Sequence, residues 1–286
     1  VHRGQGSPWP RPPSGLGRPD PTGGGAAPAG SVVLLSGEVG AGAREFIYTS
    51  TVMNGLLQSD PEMFDLYYGD LASGAVAPDE VHYLSFTAGE RKVRREMSLA
   101  MDDDIVDASS PAIEFHDLSS EYFQLSPVPR EWYSDRTAKI SDLNATDERQ
   151  SVPSALGDRL SASAANNVVV IDSLTDLVAA SGDDISWEDI PVILKGISRA
   201  AFGWQGLILV HASMETLSRV QHGQLMDAAD GTLLFEWESG GSTRARTMVV
   251  RQFRGVLSRI EDENIVRFET EIGDSGFDIS DVRKIR

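Results

Sequence analysis

Short apolar runs alternate with amphipathic stretches along most of the chain, beginning at Ser31. Runs rich in β-branched residues indicate buried strands, and apolar residues three or four positions apart indicate helices that pack on a sheet. This alternation predicts an α/β domain with a mostly parallel central β-sheet flanked by helices. Strands are predicted at 32–36, 81–86, 112–116, 167–172, 206–212, 231–238, 245–253 and 264–272. Helices are predicted at 43–58, 89–101, 154–164, 187–202 and 214–227.

Two parts of the chain depart from this alternation. The last three predicted strands follow one another without helices, so we expect antiparallel strands at the C-terminal edge of the sheet. Residues 118–153 are polar and contain Pro127, Pro129 and Pro153. Because prolines and polar residues favour exposed connections, this segment is predicted to run as a long irregular excursion over the surface.

Residues 1–30 consist largely of Gly, Pro, Ser and Arg, without periodic apolar positions. Such a composition cannot bury enough apolar surface to fold, so we predict a disordered N-terminal segment followed by one domain over residues 31–286. The segment is basic, whereas the rest of the chain is acidic. It is either a functional basic tail or a product of translation upstream of the true start, since the chain opens with Val1.

The chain has a formal net charge of −18, with 25 Asp and 18 Glu against 4 Lys and 21 Arg. An excess of acidic side chains keeps a protein soluble where concentrated ions screen surface charge. The composition therefore indicates an extremely halophilic source such as a haloarchaeon, and an ordinary acidic cytosolic protein is the alternative. Under either interpretation no basic field is present to neutralise phosphates, so nucleic acid is not an expected partner.

Cysteine is absent, which excludes disulfides and thiolate metal sites. The five histidines, at positions 2, 82, 116, 211 and 222, show no metal-ligand spacing. No apolar run approaches the roughly 20 residues that cross a bilayer. We therefore expect a soluble, cytoplasmic protein that does not act at a membrane.

A glycine-rich turn joins the first predicted strand to the first predicted helix. Gly37 and Gly42 have the G-x-x-x-x-G spacing of a P-loop, and Gly40 lies between them. Glycine lets the backbone bend so that successive N–H groups point into one concavity, at the positive end of the following helix. Strand, turn and helix together predict an anion-binding loop.

Two side chains that a P-loop needs are missing from this turn. Ala43 stands where Lys would contact the phosphates, and Arg44 stands where Ser or Thr would hold Mg²⁺. Glu38 adds a carboxylate beside the phosphate position, and Arg44 could turn back to replace the missing charge. The loop is therefore a plain structural turn, a weak site for ATP or ADP with Mg²⁺, or a hydrolase site. The two losses disfavour the hydrolase.

Beyond the loop, several segments resemble the KaiC/RadA branch of the RecA-superfamily P-loop ATPases, and the resemblance covers about residues 31–282. Residues 167–177 are similar to that branch's Walker B strand, whose final Asp steers Mg²⁺, and Asp172 is the matching residue. An Asp that simply caps a buried strand is the alternative. His211 matches a polar residue that senses the γ-phosphate, with a satisfied core histidine as the alternative. Further resemblance lies at 227–234, 246–255, 268–272 and 276–279.

The resemblance implies a RecA-like P-loop fold and also identifies further missing groups. In these ATPases a strand ending in Lys-x-Arg-Gly presents both cations to the nucleotide of a neighbouring subunit. Here Gln252 replaces the Lys, and only Arg254 remains. Thr87 and Ala88 stand where a carboxylate would orient the attacking water. Counting the two P-loop side chains, four active-site groups are absent, which implies a pseudo-ATPase.

The function that follows from the resemblance is a non-catalytic regulatory or protein-interaction module. RecA-type domains assemble edge to edge, so the expected partner is another protein or a second copy of this chain. The alternative is a weak ATP-binding protein or ATPase that uses Arg44 and Asp172 in unusual roles. An accessory of DNA recombination is a third interpretation, and the acidic charge disfavours it.

Overall fold

A computed structural model describes residues 16–17, 27–69, 75–124, 126–133, 151–179, 185–239, 244–253 and 267–283. The described strands are β1 (Leu16–Gly17), β2 (Ser31–Gly37), β3 (Ala75–Val76), β4 (Val81–Ser85), β5 (Ile113–Asp117), β6 (Val168–Asp172), β7 (Leu207–Ser213), β8 (Gly231–Ser239), β9 (Arg244–Phe253), β10 (Arg267–Gly273) and β11 (Gly276–Arg283). The described helices are α1 (Ala43–Ser59), α2 (Pro61–Tyr68), α3 (Glu90–Ala100), α4 (Asp103–Ser109), α5 (Ser119–Phe123), α6 (Val152–Ser163), α7 (Leu174–Ala179), α8 (Asp189–Trp204) and α9 (Arg219–Ala228).

Nine of the described strands form one sheet in the order β11-β10-β9-β8-β2-β7-β6-β4-β5. The strands from β8 to β5 run parallel to one another, because helices carry the chain back between them. The strands β8, β9, β10 and β11 are antiparallel, because no described helix separates them. The predicted α/β class, with a mostly parallel sheet and antiparallel strands at the C-terminal edge, is confirmed.

Both faces of the sheet are buried, which explains why its central strands are apolar throughout. Val33 and Leu35 of β2 pack into a core with helices α1 to α4, and Val32 and Leu34 pack into a second core with α5 to α9. All four side chains are at most 1% exposed. The sheet and the helix layers on its two faces hold the carboxyl ends of the parallel strands in fixed relative positions.

Several elements with few apolar positions were not predicted from the sequence. Helix α2 was not predicted, although Asp60 caps it by accepting the Met63 N–H at 3.0 Å and Pro61 occupies its first turn. Helix α4 and strand β11 were also missed, because neither presents more than a few apolar positions. Within the predicted excursion 118–153, helix α5 forms, and residues 134–150 lie outside the described part of the chain.

The start of the described chain contacts the domain at two places. Residues 16–17 pair antiparallel with residues 75–76, and the Gly30 N–H donates to the Gly206 carbonyl at 2.8 Å. The rest of the predicted N-terminal segment, residues 1–15 and 18–26, lies outside the described residues. Among the helices that the structure describes, none combines the length and apolar character that crossing a bilayer requires.

Candidate functional site

The carboxyl ends of β2, β7 and β6 lie side by side, and the candidate site forms there. Strand β2 leads into the loop Gly37–Gly42 and then α1, β6 ends at Asp172, and β7 carries His211 near its end. Parallel strands direct their carboxyl ends to one edge of a sheet, which is where α/β proteins bind ligands. Residues far apart in sequence therefore meet at this edge.

Left-handed backbone at two positions shapes the loop. Gly40 has a φ of 74° and Gly42 a φ of 109°, a region that other residues rarely adopt. A Cβ at Gly42 would also lie 3.1 Å from the ring of Phe277. Phe46 of α1 packs with a centroid distance of 5.3 Å from both Phe235 and Phe277, so β8 and β11 hold the loop and the helix start in place.

Several N–H groups of the loop donate to protein acceptors. The Glu38 N–H donates to the Phe235 carbonyl at 3.0 Å, and the Val39 N–H donates to the Glu215 carboxylate at 3.2 Å. Gly42 at the start of α1 has no side chain that could accept from the N–H groups of the first helical turn. One donor of the loop therefore already faces an internal carboxylate, and the start of α1 has no side-chain cap from Gly42.

Arg246 is a cation beside the loop that sequence reasoning missed. Its Nε donates to the Gly40 carbonyl at 3.1 Å, and its guanidinium lies 4.7 Å from the Trp237 ring centroid. The Trp237 indole N–H donates to the Val39 carbonyl at 3.1 Å. Arg246 and Trp237 are directly paired across β8 and β9. The pairing follows from the β8–β9 hairpin. The sequence does not show that this hairpin packs against the glycine-rich loop.

The side chain of Arg44 contacts two carboxylates. Its Nη2 lies 3.3 Å from Asp172 Oδ1, and its Nη1 lies 3.8 Å from Glu96 Oε2. The side chain is 45% exposed, so water partly screens these pairs. Burial acts to lower the pKa of Arg44, but Asp172 together with Tyr48 and Tyr83 outweighs it and holds the pKa above its usual value. The charge of Arg44 is thus neutralised within the protein.

Asp172 is 5% exposed and is surrounded by three polar side chains. The Tyr83 hydroxyl donates to Oδ2 at 2.7 Å, and Arg44 donates to Oδ1 at 3.3 Å. His211 Nδ1 lies 3.2 Å from Oδ1, in an orientation too poorly aligned for a full hydrogen bond. Burial acts to raise the pKa of Asp172, but His211, Arg44 and Tyr83 outweigh it and leave the pKa below its usual value. These four residues are called the Asp172 cluster below.

The Asp172 cluster does not fit the Mg²⁺ ion that a P-loop ATPase uses. Mg²⁺ requires oxygen ligands in near-octahedral geometry and keeps several waters. The hydroxyl that would face the ion at position 44 is a guanidinium here, and this guanidinium is paired with the carboxylate that would steer the ion. The cluster therefore supplies Asp172 with a side-chain cation in place of a metal.

The other residues singled out in the sequence are not members of the Asp172 cluster, and one of them lies outside the described chain. Thr87 and Ala88 follow β4, where the Ala88 N–H donates to the Ser85 hydroxyl oxygen at 3.1 Å. Gln252 lies on β9 opposite Thr232. Arg254, the proposed cation for a neighbouring subunit, is outside the described residues.

The fold of this chain is similar to that of a solved protein structure. A KaiC-like protein from the hyperthermophilic archaeon Pyrococcus horikoshii matches 94% of this chain over 98% of its own, with a TM-score of 0.56 and 16% sequence identity. No protein-family model matches the sequence, and no curated protein is significantly similar to it. The chain therefore has the RecA-type α/β fold of KaiC-like proteins.

Proposed function

We propose that this chain is a RecA-type domain that has lost ATP hydrolysis and acts as a regulatory or protein-interaction module. The ion pair between Arg44 and Asp172 carries the proposal. In a working P-loop site the corresponding hydroxyl and carboxylate hold a Mg²⁺ ion that bridges the phosphates and neutralises developing charge. A guanidinium paired with Asp172 leaves the site without that ion.

The free energy needed to admit Mg²⁺ supports this proposal. Displacing Arg44 from Asp172 breaks a partly screened ion pair, which contributes about 0.5–1.5 kcal/mol. The Lys that is missing at Ala43 removes a second contact of about 1.5–3 kcal/mol. Together, these losses of about 2–4.5 kcal/mol weaken binding of a Mg²⁺-nucleotide by roughly 30- to 2,000-fold relative to an intact loop.

A weak phosphate or nucleotide site that works without Mg²⁺ is the second candidate. The start of α1, which has no side-chain cap from Gly42, and the left-handed Gly40 and Gly42 favour it, because this backbone geometry is the one that binds anions in P-loops. Arg246 adds a cation at the rim of the loop. The Glu215 carboxylate on the Val39 N–H opposes it, because an incoming phosphate would have to displace this carboxylate.

Phosphate release and calorimetric ATP binding at multimolar KCl, each measured with Mg²⁺ and with EDTA, separate the candidates. We expect no turnover above background in either condition. A binding isotherm that is the same with Mg²⁺ and with EDTA identifies the metal-independent site, and a flat isotherm identifies a pure scaffold. Turnover by the wild type that disappears in Asp172→Asn would overturn the proposal.

Restoring the P-loop side chains gives a positive control. The double variant Ala43→Lys with Arg44→Thr frees Asp172 and replaces both lost groups, so we expect ATP binding to become at least about tenfold tighter and to depend on Mg²⁺. Turnover should still be absent, because Thr87 and Ala88 offer no general base. Ala43→Lys alone is the matched variant, since Arg44 stays on Asp172 and binding should remain independent of Mg²⁺.

The proposed partner is a protein, either a second copy of this chain or an intact RecA-type ATPase. Edge-to-edge assembly of RecA-type domains supports this part of the proposal, and the net charge of −18 argues against nucleic acid. Light scattering at multimolar KCl tests the homo-oligomer. A mass equal to the 30.9 kDa of one chain at every concentration would exclude it and leave the heterologous partner.

A further inference from the structure

Two histidines and a glutamate converge on the adjacent strands β4 and β5, away from the Asp172 cluster. His82 is directly opposite Glu114 in the parallel register, and His116 lies two residues further along β5, so the three side chains share one face of the sheet. His82 Nδ1 lies 3.0 Å from His116 Nε2 and 3.4 Å from Glu114 Oε2. His116 Nε2 lies 3.8 Å from Glu114 Oε1. We call these three residues the His82 site.

We propose that the His82 site binds a divalent transition-metal ion of the Zn²⁺ class. A tetrahedral ion with bonds of about 2.0–2.1 Å places its ligand atoms about 3.3–3.4 Å apart. The distances from His82 Nδ1 to His116 Nε2 and to Glu114 Oε2, 3.0 and 3.4 Å, lie near that value. Two imidazoles and one carboxylate form a ligand set that Zn²⁺ accepts, with water in the fourth position. All the ligand atoms lie within 4.8 Å of one another, so only small side-chain shifts are needed.

The two histidines of the site are largely buried and the glutamate is exposed, so an ion can reach the site from solvent. The side chains of His82 and His116 are 3% and 9% exposed, whereas that of Glu114 is 62% exposed. The histidines therefore form the inner part of the site, and Glu114 forms its solvent-facing part.

Hydrogen-bonding groups behind His82 can orient its ring. The Asn167 amide is fixed, because its Oδ1 accepts the Glu80 N–H at 2.7 Å and its Nδ2 donates to the Ser163 carbonyl at 2.8 Å. Its Nδ2 also lies 3.1 Å from His82 Nε2. An ion on Nδ1 requires the proton on Nε2, which has the Glu80 carboxylate at 3.2 Å as its acceptor.

Metal binding here would join the edge strand β5 to its neighbour. Within the described sheet β5 pairs only with β4, so its attachment depends on one row of backbone hydrogen bonds and on side-chain packing. An ion bridging His82 to the two β5 residues cross-links the strands and stabilises the folded state by mass action. This inference concerns a different face of β4 from Tyr83 and stands independently of the proposed loss of ATPase activity.

Calorimetric titration of the full chain with ZnSO₄ tests the site, in about 1 M sodium sulfate so that chloride does not compete for the ion. We expect one Zn²⁺ per chain and a higher melting temperature with the ion. Glu80→Gln should weaken binding about 10- to 100-fold, as loss of a second-shell partner does, and Glu114→Gln and His116→Gln should weaken it further. Glu114→Gln alters an exposed side chain and is the variant least able to disturb folding.

His222→Gln and Glu62→Gln are the matched controls, since they remove one imidazole and one carboxylate elsewhere, and both should bind Zn²⁺ like the wild type. Circular dichroism without metal checks that every variant is folded. No binding by the wild type would overturn the proposal. Equal binding by the wild type, Glu114→Gln and His116→Gln would also overturn it, because it would assign the ion to the acidic surface.

Discussion

A single carboxylate, Asp172, determines what the candidate site can do. A buried ionised group is stable only when it is paired and hydrogen-bonded, and Arg44 and Tyr83 provide those contacts while His211 lies close by. The same three neighbours are therefore a structural requirement of this core and an obstacle to a metal. Because Arg44 is half exposed, the pair is partly screened, and its contribution is smaller than that of a fully buried ion pair.

Removing the guanidinium should destabilise the fold. We expect Arg44→Ala to lower the free energy of unfolding by about 1–3 kcal/mol, because it leaves a buried carboxylate with one donor fewer. The double variant Arg44→Ala with Asp172→Asn should lose less than the sum of the single losses, because Asn carries no charge that needs a cation. Urea unfolding at multimolar KCl measures all three variants.

Arg91→Ala, at an exposed position of α3, is the control and should change stability by no more than about 0.5 kcal/mol. A double variant whose loss equals the sum of the single losses would show that Arg44 and Asp172 are not coupled.

The residues of the two sites were not equally predictable from sequence. Gly40 and Gly42 could be identified, because a local backbone bend leaves a local signature. Asp172 was identified through the family resemblance, but its ion pair with Arg44 was not, because the two residues lie 128 positions apart and meet only through the strand order. The histidines of the His82 site are 34 positions apart, so no metal-ligand spacing is visible. The one local trace was Glu114-x-His116, since residues two apart on a strand share a face.

Among the elements, the P-loop-like turn and α1 depend on distant strands for their shape. The loop is bounded by β8 and β11, and Phe277 of β11 lies against Gly42. Sequence patterning predicted β2 and α1 almost to the residue, because β2 is a continuous apolar run and α1 is a long helix. It missed β11, whose Phe277 limits what position 42 can be, because the eight residues of this strand include only three apolar ones. The local pattern of apolar residues was enough to predict the fold class. It was not enough to predict how β8 and β11 pack around the glycine-rich loop.

A side chain at position 42 should be poorly tolerated. Gly42→Ala forces a left-handed φ of 109° on a residue with a Cβ and places that Cβ 3.1 Å from Phe277, so we expect a loss of about 1–3 kcal/mol. Gly196→Ala in α8 is the matched control, because a Cβ there meets nothing within 4 Å and Ala is the better helix former. The control should gain up to about 1 kcal/mol. Thermal unfolding of both variants measures these changes. Similar melting temperatures for the two variants would contradict the prediction that a side chain at position 42 destabilises the fold.

For the molecule as a whole, charge is the dominant property. A net charge of −18 on 286 residues repels itself unless ions screen it, and the high share of Asp and Glu is the feature expected of a salt-adapted surface. Screening shortens from about 10 Å at 0.1 M salt to about 3 Å at 1 M, so the repulsion depends steeply on salt over this range.

We therefore expect the fold to loosen when salt falls below about 0.5 M, where screening becomes incomplete. Circular dichroism and small-angle scattering along a KCl series from 3 M down to 0.05 M, both limits being approximate, measure secondary structure and compactness together. A protein that stays compact and fully folded down to about 0.15 M salt would be an ordinary acidic protein instead.

The pairing of Arg44 with Asp172 also limits how such a chain can evolve. Substituting Arg44 by Thr, the first step back toward a metal-binding loop, removes the cation from a buried carboxylate before a Lys at 43 or a carboxylate near 87 can make use of it. A variant that has lost Arg44 alone is then less stable than the present protein and no more active. On the proposed function, the loss of catalysis is therefore difficult to reverse by single substitutions that begin at position 44.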